Sequence, residues 1–464
     1  MQIIKRSFPI QFAVLFALSL PCLAQNQAIQ APALPGAQAI SSRDRVYTAD
    51  QTSNTISVID PSSNGLLGTI ALGNARPDDL LAPNYNRQID VHGLGFSPDG
   101  SLLCVVSVTT NALTLIETAT NKVRGTVYLG RAPHEAVFTP DSTQIWVAVR
   151  GQDYVSVIDV AKLQEIDRIQ TADGPSKVVF RPDGQVAFVD HTRTAELDVI
   201  DVKTRKVSTR VSGLVDKFTS DMAVSPDGLE VWLPHKMADK LTIVDARNFT
   251  VLGVIETGPN TNHPNFVTRS DGKFAYLTVG SLNLVKVYER GGGNPRLIAT
   301  IPTGADPHGI WPSPDNSRVY VALENGDAVQ VIDTRALAVI QTIRIGQAPQ
   351  ALVYVANAVP AGTGINGLGN QNVGLFIDET RDRVDGGSVT TVIRELVGVD
   401  SIQVSGDHLQ PNRKYDVFAF RENGRRQLIA DFQTDEKGSG TITAQLKFLH
   451  VGLADVSVRP SPAP

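Results

Sequence analysis

Short apolar runs, four to a set, recur along most of this chain with polar breaks between them. One set reads "EAVFT", "QIWVAVR", "YVSVID" and "EIDRIQT", rich in Val, Ile, Thr and aromatic residues and separated by Gly, Pro, Asn, Asp and Ser. Runs of this length bounded by turn formers predict β-strands joined by tight turns, and no helical periodicity interrupts them. Two independent markers travel with the sets. A "VID"-like triplet closes an apolar run at Asp60, Glu117, Asp159, Asp201, Asp245, Glu289 and Asp333, and an "SPDG"-type turn places Asp99, Asp141, Asp183, Asp227, Asp271 and Asp315. After a first interval of 57 residues both markers keep a spacing of 42 to 44. Four strands in a period near 40 residues is the signature of a β-propeller.

The blade count follows from the ends of the repeat. "RVYTAD", "TISVID" and "LLGTIAL" at residues 45–72 supply three strands with no first strand before them, and "QALVYV" at 350–355 is a first strand with nothing after it. Joined, they make a seventh blade and remove an open sheet edge. The expected fold is therefore all-β: a seven-bladed β-propeller over residues 43–358, closed by N- and C-terminal strands. A linker at 359–372 follows, and then a small immunoglobulin-like β-sandwich at 373–464, where about seven short strands alternate with turns. "NTISVIDPSSN", "YVSVIDVAK" and "AVQVIDTRALAVIQTIRIGQAPQALVYV" resemble the YVTN repeats of bacterial seven-bladed propeller proteins, over about residues 45–358. That resemblance implies the fold but little about activity, since similar propellers include lactonases, amine dehydrogenase subunits and d1-haem nitrite reductases.

Composition adds an address. Lys5 and Arg6, the apolar run from Phe8 to Leu20 and "CLA" before Gln25 read as a signal peptide at 1–24, followed by a linker at 25–42; a periplasmic or secreted protein is expected. The run is too short to span a bilayer. Without Lys5 and Arg6, the 42 bases and 47 acids of the full chain leave a net charge of about −7, which argues against nucleic acid as a partner. Cys22 leaves with the signal, so Cys104, inside the apolar run "SLLCVVSV", reads as a lone buried thiol with no disulfide to make.

Candidate chemistry gathers at one repeat position, seven residues before the turn aspartate. It holds His92, His134, Ser176, Ser220, Pro264, His308 and Gln350, with His263 one step before Pro264. In a four-stranded meander this position lies at the start of the innermost strand, beside the channel mouth and opposite the "SPDG" turns. Loops between second and third strands on that face add Arg150, His191, His235, Lys236 and Glu324, and Asp90, Glu135 and Asp306 flank the inner histidines. The long connection "GNARPDDLLAPNYNRQIDVHG" opens there too, a candidate binding loop. Each histidine also has a purely structural reading, in which its imidazole bonds a neighbouring backbone carbonyl; convergence of several at a concave mouth favours a ligand.

Other chemistries find little support. Without C-x-x-C-H there is no covalently attached haem; bound metal or non-covalent haem stays open, since ligation by His92, His134 and His308 would require convergence that spacing alone does not show. No G-x-S-x-G, H-E-x-x-H or P-loop occurs. "GTGING", with Gly362, Gly364 and Gly367, reads as a hinge in a flexible linker, and "DPSSNG" at Asp60 lacks the closing carboxylate of a calcium loop. The expectation is a monomeric, exported, non-catalytic scaffold holding a small ligand or partner at the histidine-lined mouth, not membrane-spanning and with its cofactor unknown. A lactonase-like hydrolase or a metal- or haem-dependent periplasmic enzyme using the same face is the alternative, and cell-surface adhesion a further one.

Overall fold

In the computed structural model, residues 38–72, 90–369, 377–396, 399–446, 449 and 453–462 are described; the expected signal segment and the long connection at 73–89 lie outside them. Seven four-stranded antiparallel sheets occupy residues 45–355. Six are consecutive meanders, such as Pro133–Phe138, Gln144–Val149, Tyr154–Asp159 and Gln164–Gln170. In the remaining sheet Pro349–Val355 pairs with Arg45–Asp50, placing Tyr47 opposite Val353 and Val46 opposite Tyr354. We number this sheet blade 1 and the others blades 2 to 7 along the chain.

Burial explains the apolar runs. Inner strands are covered on both faces by neighbouring blades, so Pro133–Phe138 and Pro307–Pro312 are buried throughout; a strand covered on both sides reads as a continuous apolar run. Outer strands such as Gln164–Gln170 are mostly polar and largely exposed. Trp146 and Trp232 fill the spaces between blades with no exposed surface, each meeting a neighbouring Phe ring, Phe180 or Phe266.

Both sequence markers are turn devices. In "SPDG"-type turns the aspartate accepts a hydroxyl donated two residues upstream, Ser97 to Asp99 at 2.5 Å and Thr139 to Asp141 at 2.6 Å. In the "VID" turns the aspartate accepts backbone N–H groups of the following turn, Lys162 on Asp159 and Thr204 on Asp201. Short polar side chains that bond their own backbone fix such turns locally.

The linker after the repeat differs from the expected free hinge. Asn121 Nδ2 of blade 2 donates to Gly364 O and Asn366 O at 2.8 and 2.9 Å, Arg45 Nη2 of blade 1 donates to Thr363 O at 2.6 Å, and Thr69 bridges to Gly369. Gly364 has φ +65°, and a Cβ there would meet Val359 Cγ2 at 2.4 Å. The glycines serve a tight path that straps blade 1 to blade 2.

Residues 377–460 form a four-stranded and a three-stranded antiparallel sheet around a core that includes Ile402, Tyr415 and Val417. Their pairing runs first–second–third–sixth strand and fifth–fourth–seventh, which differs from the immunoglobulin order of ABED and CFG. No helix among the described residues is long and apolar enough to cross a membrane.

Candidate functional site at the channel mouth

At the start of each inner strand the ladder breaks register, and two successive residues turn toward the channel. The outer layer is His92, His134, Ser176, Ser220, Asn262, His308 and Gln350. The expected Pro264 does not belong to it. The first hairpin of blade 6 zips two residues further than its counterparts, to Arg269 opposite Gly272, so counting seven back from Asp271 stops two residues short and Asn262 takes the place. His263 then falls in the second layer with Gly93, Glu135, Lys177, Asp221, Gly309 and Ala351.

The outer layer is a belt of bonds between blades. His134 Nδ1 meets Ser176 O at 3.0 Å, His308 Nδ1 meets Gln350 O at 3.1 Å, Ser176 Oγ donates to Ser220 O at 3.1 Å and Asn262 Nδ2 to Pro307 O at 3.0 Å. A carbonyl only accepts, so Nδ1 carries the proton in His134 and His308 and Nε2 is left as the acceptor. The structural role of these imidazoles is thus real, and it also orients them.

The second layer carries charge on one side and small residues on the other. Lys177 Nζ pairs with Asp221 Oδ2 at 2.5 Å, and His263 Nδ1 lies 3.2 Å from the same oxygen. Opposite, Gly93 and Gly309 let inner strands close up; a Cβ on Gly93 would stand 2.2 Å from His134 O. Below the belt is a cavity of ≈20 Å³ bordered by Glu135, Lys177, His263 and apolar groups such as Leu94 and Trp311. That is room for about one water.

Rings and charges pack closely. His92 and His134 have centroids 4.2 Å apart, His263 and His308 4.5 Å apart. Arg150 donates through Nη2 to His134 Nε2 and to Ser176 Oγ, the latter at 2.7 Å. Glu324 Oε2 stands 3.9 Å from His308 Nε2. Burial, and then the nearby Arg150, holds His134 well below its ordinary pKa; burial and His308 do the same to His263; burial and Lys236 bring His308 down to about 3. These rings are neutral at physiological pH. Burial raises Glu135 to about 8 and Asp221 to about 6, with Lys177 opposing the shift in both.

Several expected residues lie elsewhere. His191 and His235 end their strands, opposite Pro175 and Thr219, whereas Arg150, Lys236 and Glu324 stand one residue further on. With a side-chain period of two, that single step reverses the facing. His191 is fully buried against Glu196 O and Asp198, and His235 between the hydroxyls of Thr219 and Thr242. Asp90 and Asp306 have φ near +55° and join blades: Asp90 N donates to Asn54 Oδ1, and Asp306 accepts from Asn260 and Asn325. Gln350 contributes its carbonyl. Lys177 and Asp221 were missed, although they share the repeat position of Glu135 and reading that column would have found them. Arg394 of the sandwich, which pairs with Asp327 and donates to Glu324 O, braces the loop carrying Glu324; no repeat or motif marks it.

Residues 111–336 match the family described as "Lactonase, 7-bladed beta-propeller". No curated protein matches the chain. Among solved structures, the chain is similar to Kuenenia stuttgartiensis hydrazine synthase at 21% identity and TM-score 0.51, covering 56% of this chain and 88% of that one. A functionally unknown protein from Desulfotomaculum acetoxidans is similar at 14% identity and TM-score 0.56, covering 67% and 98%. The dihydro-haem d1 dehydrogenase NirN in complex with DHE is similar at 14% identity and TM-score 0.51, covering 90% and 80%. At these identities the structural likeness is one of fold, and it agrees with the kinship to seven-bladed propellers read from the repeats.

Proposed function

We propose that this chain is an exported propeller that binds a small ligand at its histidine-lined mouth and acts as a scaffold rather than a catalyst. One observation carries the reading: three mouth imidazoles have Nδ1 held by an acceptor, Ser176 O, Gln350 O or Asp221 Oδ2. They form a rigid set of neutral rings whose remaining nitrogens are fixed before any ligand arrives, and preorganisation of this kind lowers the ordering cost of binding. Arg150, Lys236 and Glu324 add charge at the rim, and the sandwich steadies the Glu324 loop through Arg394.

The test is native mass spectrometry of the full chain purified without chelator, compared with a His134→Ala/His308→Ala double variant that retains the wild-type circular dichroism spectrum. A bound mass present in the first and absent in the second is the expected result. Equal spectra, with or without a bound mass, would refute the reading. The family match motivates a second reading, a lactone hydrolase with a mouth histidine as general base. Turnover of a lactone panel that disappears in His134→Ala would put that reading in place of the first.

A further inference from the structure

We infer that His92, His134 and Glu135 form a site for a divalent first-row transition ion of the zinc type, where blades 2 and 3 meet at the channel mouth. The inference rests on the binding reading above and names the chemical class of its ligand. Each of the three residues offers a donor atom, and these atoms all lie within 4.8 Å of one another; His92 Nδ1 is 4.0 Å from Glu135 Oε1. Tetrahedral bonds of about 2.0–2.1 Å separate ligand atoms by ~3.3 Å. Closing the set asks the donor atoms to draw together by at most about 1.5 Å. Two imidazoles and a carboxylate are donors that suit zinc and leave one position open; calcium or magnesium would ask for more oxygens.

The surroundings fit such an ion. The Nδ1 of His134 is tied to Ser176 O, the bond that orients a ligating imidazole and leaves Nε2 to the metal. Arg150 Nη2 now donates to that Nε2 while also donating to Ser176 Oγ. Its cation therefore stands on the approach an ion would take, and the Ser176 hydroxyl gives it somewhere to remain once displaced. Glu135 also borders the water-sized cavity beneath.

The experiment titrates the chelator-stripped full chain with zinc against a chromophoric chelator, and with cobalt to record its visible spectrum. Expected are one ion per chain and the intense bands of a four- or five-coordinate cobalt site. His92→Ala and Glu135→Gln should each weaken zinc binding at least tenfold while preserving the unfolding transition seen by tryptophan fluorescence. Arg150→Met should tighten it, because a competing cation is gone; weaker binding in that variant counts against the inference. No stoichiometric zinc, or zinc affinity unchanged in both ligand variants, overturns it. An organic ligand lost from His134→Ala/His308→Ala in a chain that ignores zinc would leave the binding reading standing and sink this one alone.

Discussion

Replacing Arg290 with Met tests how blades 5 and 6 are locked together. Arg290 follows the third strand of blade 6 and reaches into blade 5, donating Nε to Glu230 Oε2 at 2.8 Å and Nη1 and Nη2 to Asp227 at 3.1 and 3.0 Å. Its guanidinium lies 5.3 Å from the Phe266 ring centre, and Glu230 also accepts the Trp232 indole N–H at 2.8 Å. Met keeps most of the apolar stem and removes the charge. Glu230, only 8% exposed, is then left with the indole alone; losing one partner of a buried pair costs about 3–5 kcal/mol. Asp227 is 21% exposed and keeps Lys273 at 3.0 Å, so its share adds only ~0–1 kcal/mol. The predicted loss is about 3–5 kcal/mol at pH 7. Urea unfolding followed by tryptophan fluorescence reads it directly, because Trp146, Trp232 and Trp311 all lie buried in the propeller. Burial alone would raise the Asp227 carboxyl, but bonds from Arg290, Ser225 and Lys273 hold it well below the usual range. A depressed folded pKa gives stability that is complete above the unfolded value and lost as pH falls through the folded one. The gap between wild type and variant should therefore narrow toward pH 2, by no more than the ~1 kcal/mol that Asp227 contributes. A loss below about 1 kcal/mol at pH 7 would show that packing and not this ion cluster joins the blades.

Three further outcomes follow from the same physics. Gly93→Ala places a Cβ 2.2 Å from His134 O and should cost at least about 2 kcal/mol, while Gly292→Ala, with φ +62° and open space around it, should cost only about 1 kcal/mol; equal costs in urea unfolding would contradict the close approach of blades 2 and 3. Burial lowers His235 from 6.5 to about 4, so the unfolded chain binds its proton first and stability falls as pH drops from 6.5 toward 4, by up to about 3 kcal/mol. His235→Gln should flatten that decline, and an identical pH profile would remove His235 as its source. Burial also raises the Cys104 thiol far above its ordinary pKa, so in a Cys22→Ser chain a thiol reagent should not label the native protein over hours and should label it with one equivalent in urea; rapid native labelling would refute the buried placement.

The repeat was legible because its markers are local. Asp141 and Asp159 bond turn atoms within three residues of themselves, and a device of that range survives into any correct reading of the sequence. His134 and His308 were found for the same reason, since they sit at a constant distance from such a turn. Where a hairpin lengthens, as at Arg269 and Gly272, the count slips and Pro264 displaces Asn262. Facing was harder to read. Whether a strand-end residue points into the mouth or between blades depends on one step of the pleat, and His191 and Arg150 fall on opposite sides of that step. Lys177 and Asp221, 44 positions apart, were open to the repeat column of Glu135, whereas the contact of Arg394 with Asp327, 67 positions apart, has no repeat or local signal to announce it.

The strap at residues 363–369 has a consequence for how the chain is made. The three strands that open the ring at Arg45–Ala71 wait for Pro349–Val355, and the seam between blades 1 and 2 waits for the segment after it. At about 5–20 residues per second, roughly 280 residues of synthesis separate those events by ~15–55 s. Throughout that interval the opening strands lack the partner that completes their sheet, and were the chain exported, as proposed, before the ring locks, the final assembly step would fall on the far side of the membrane.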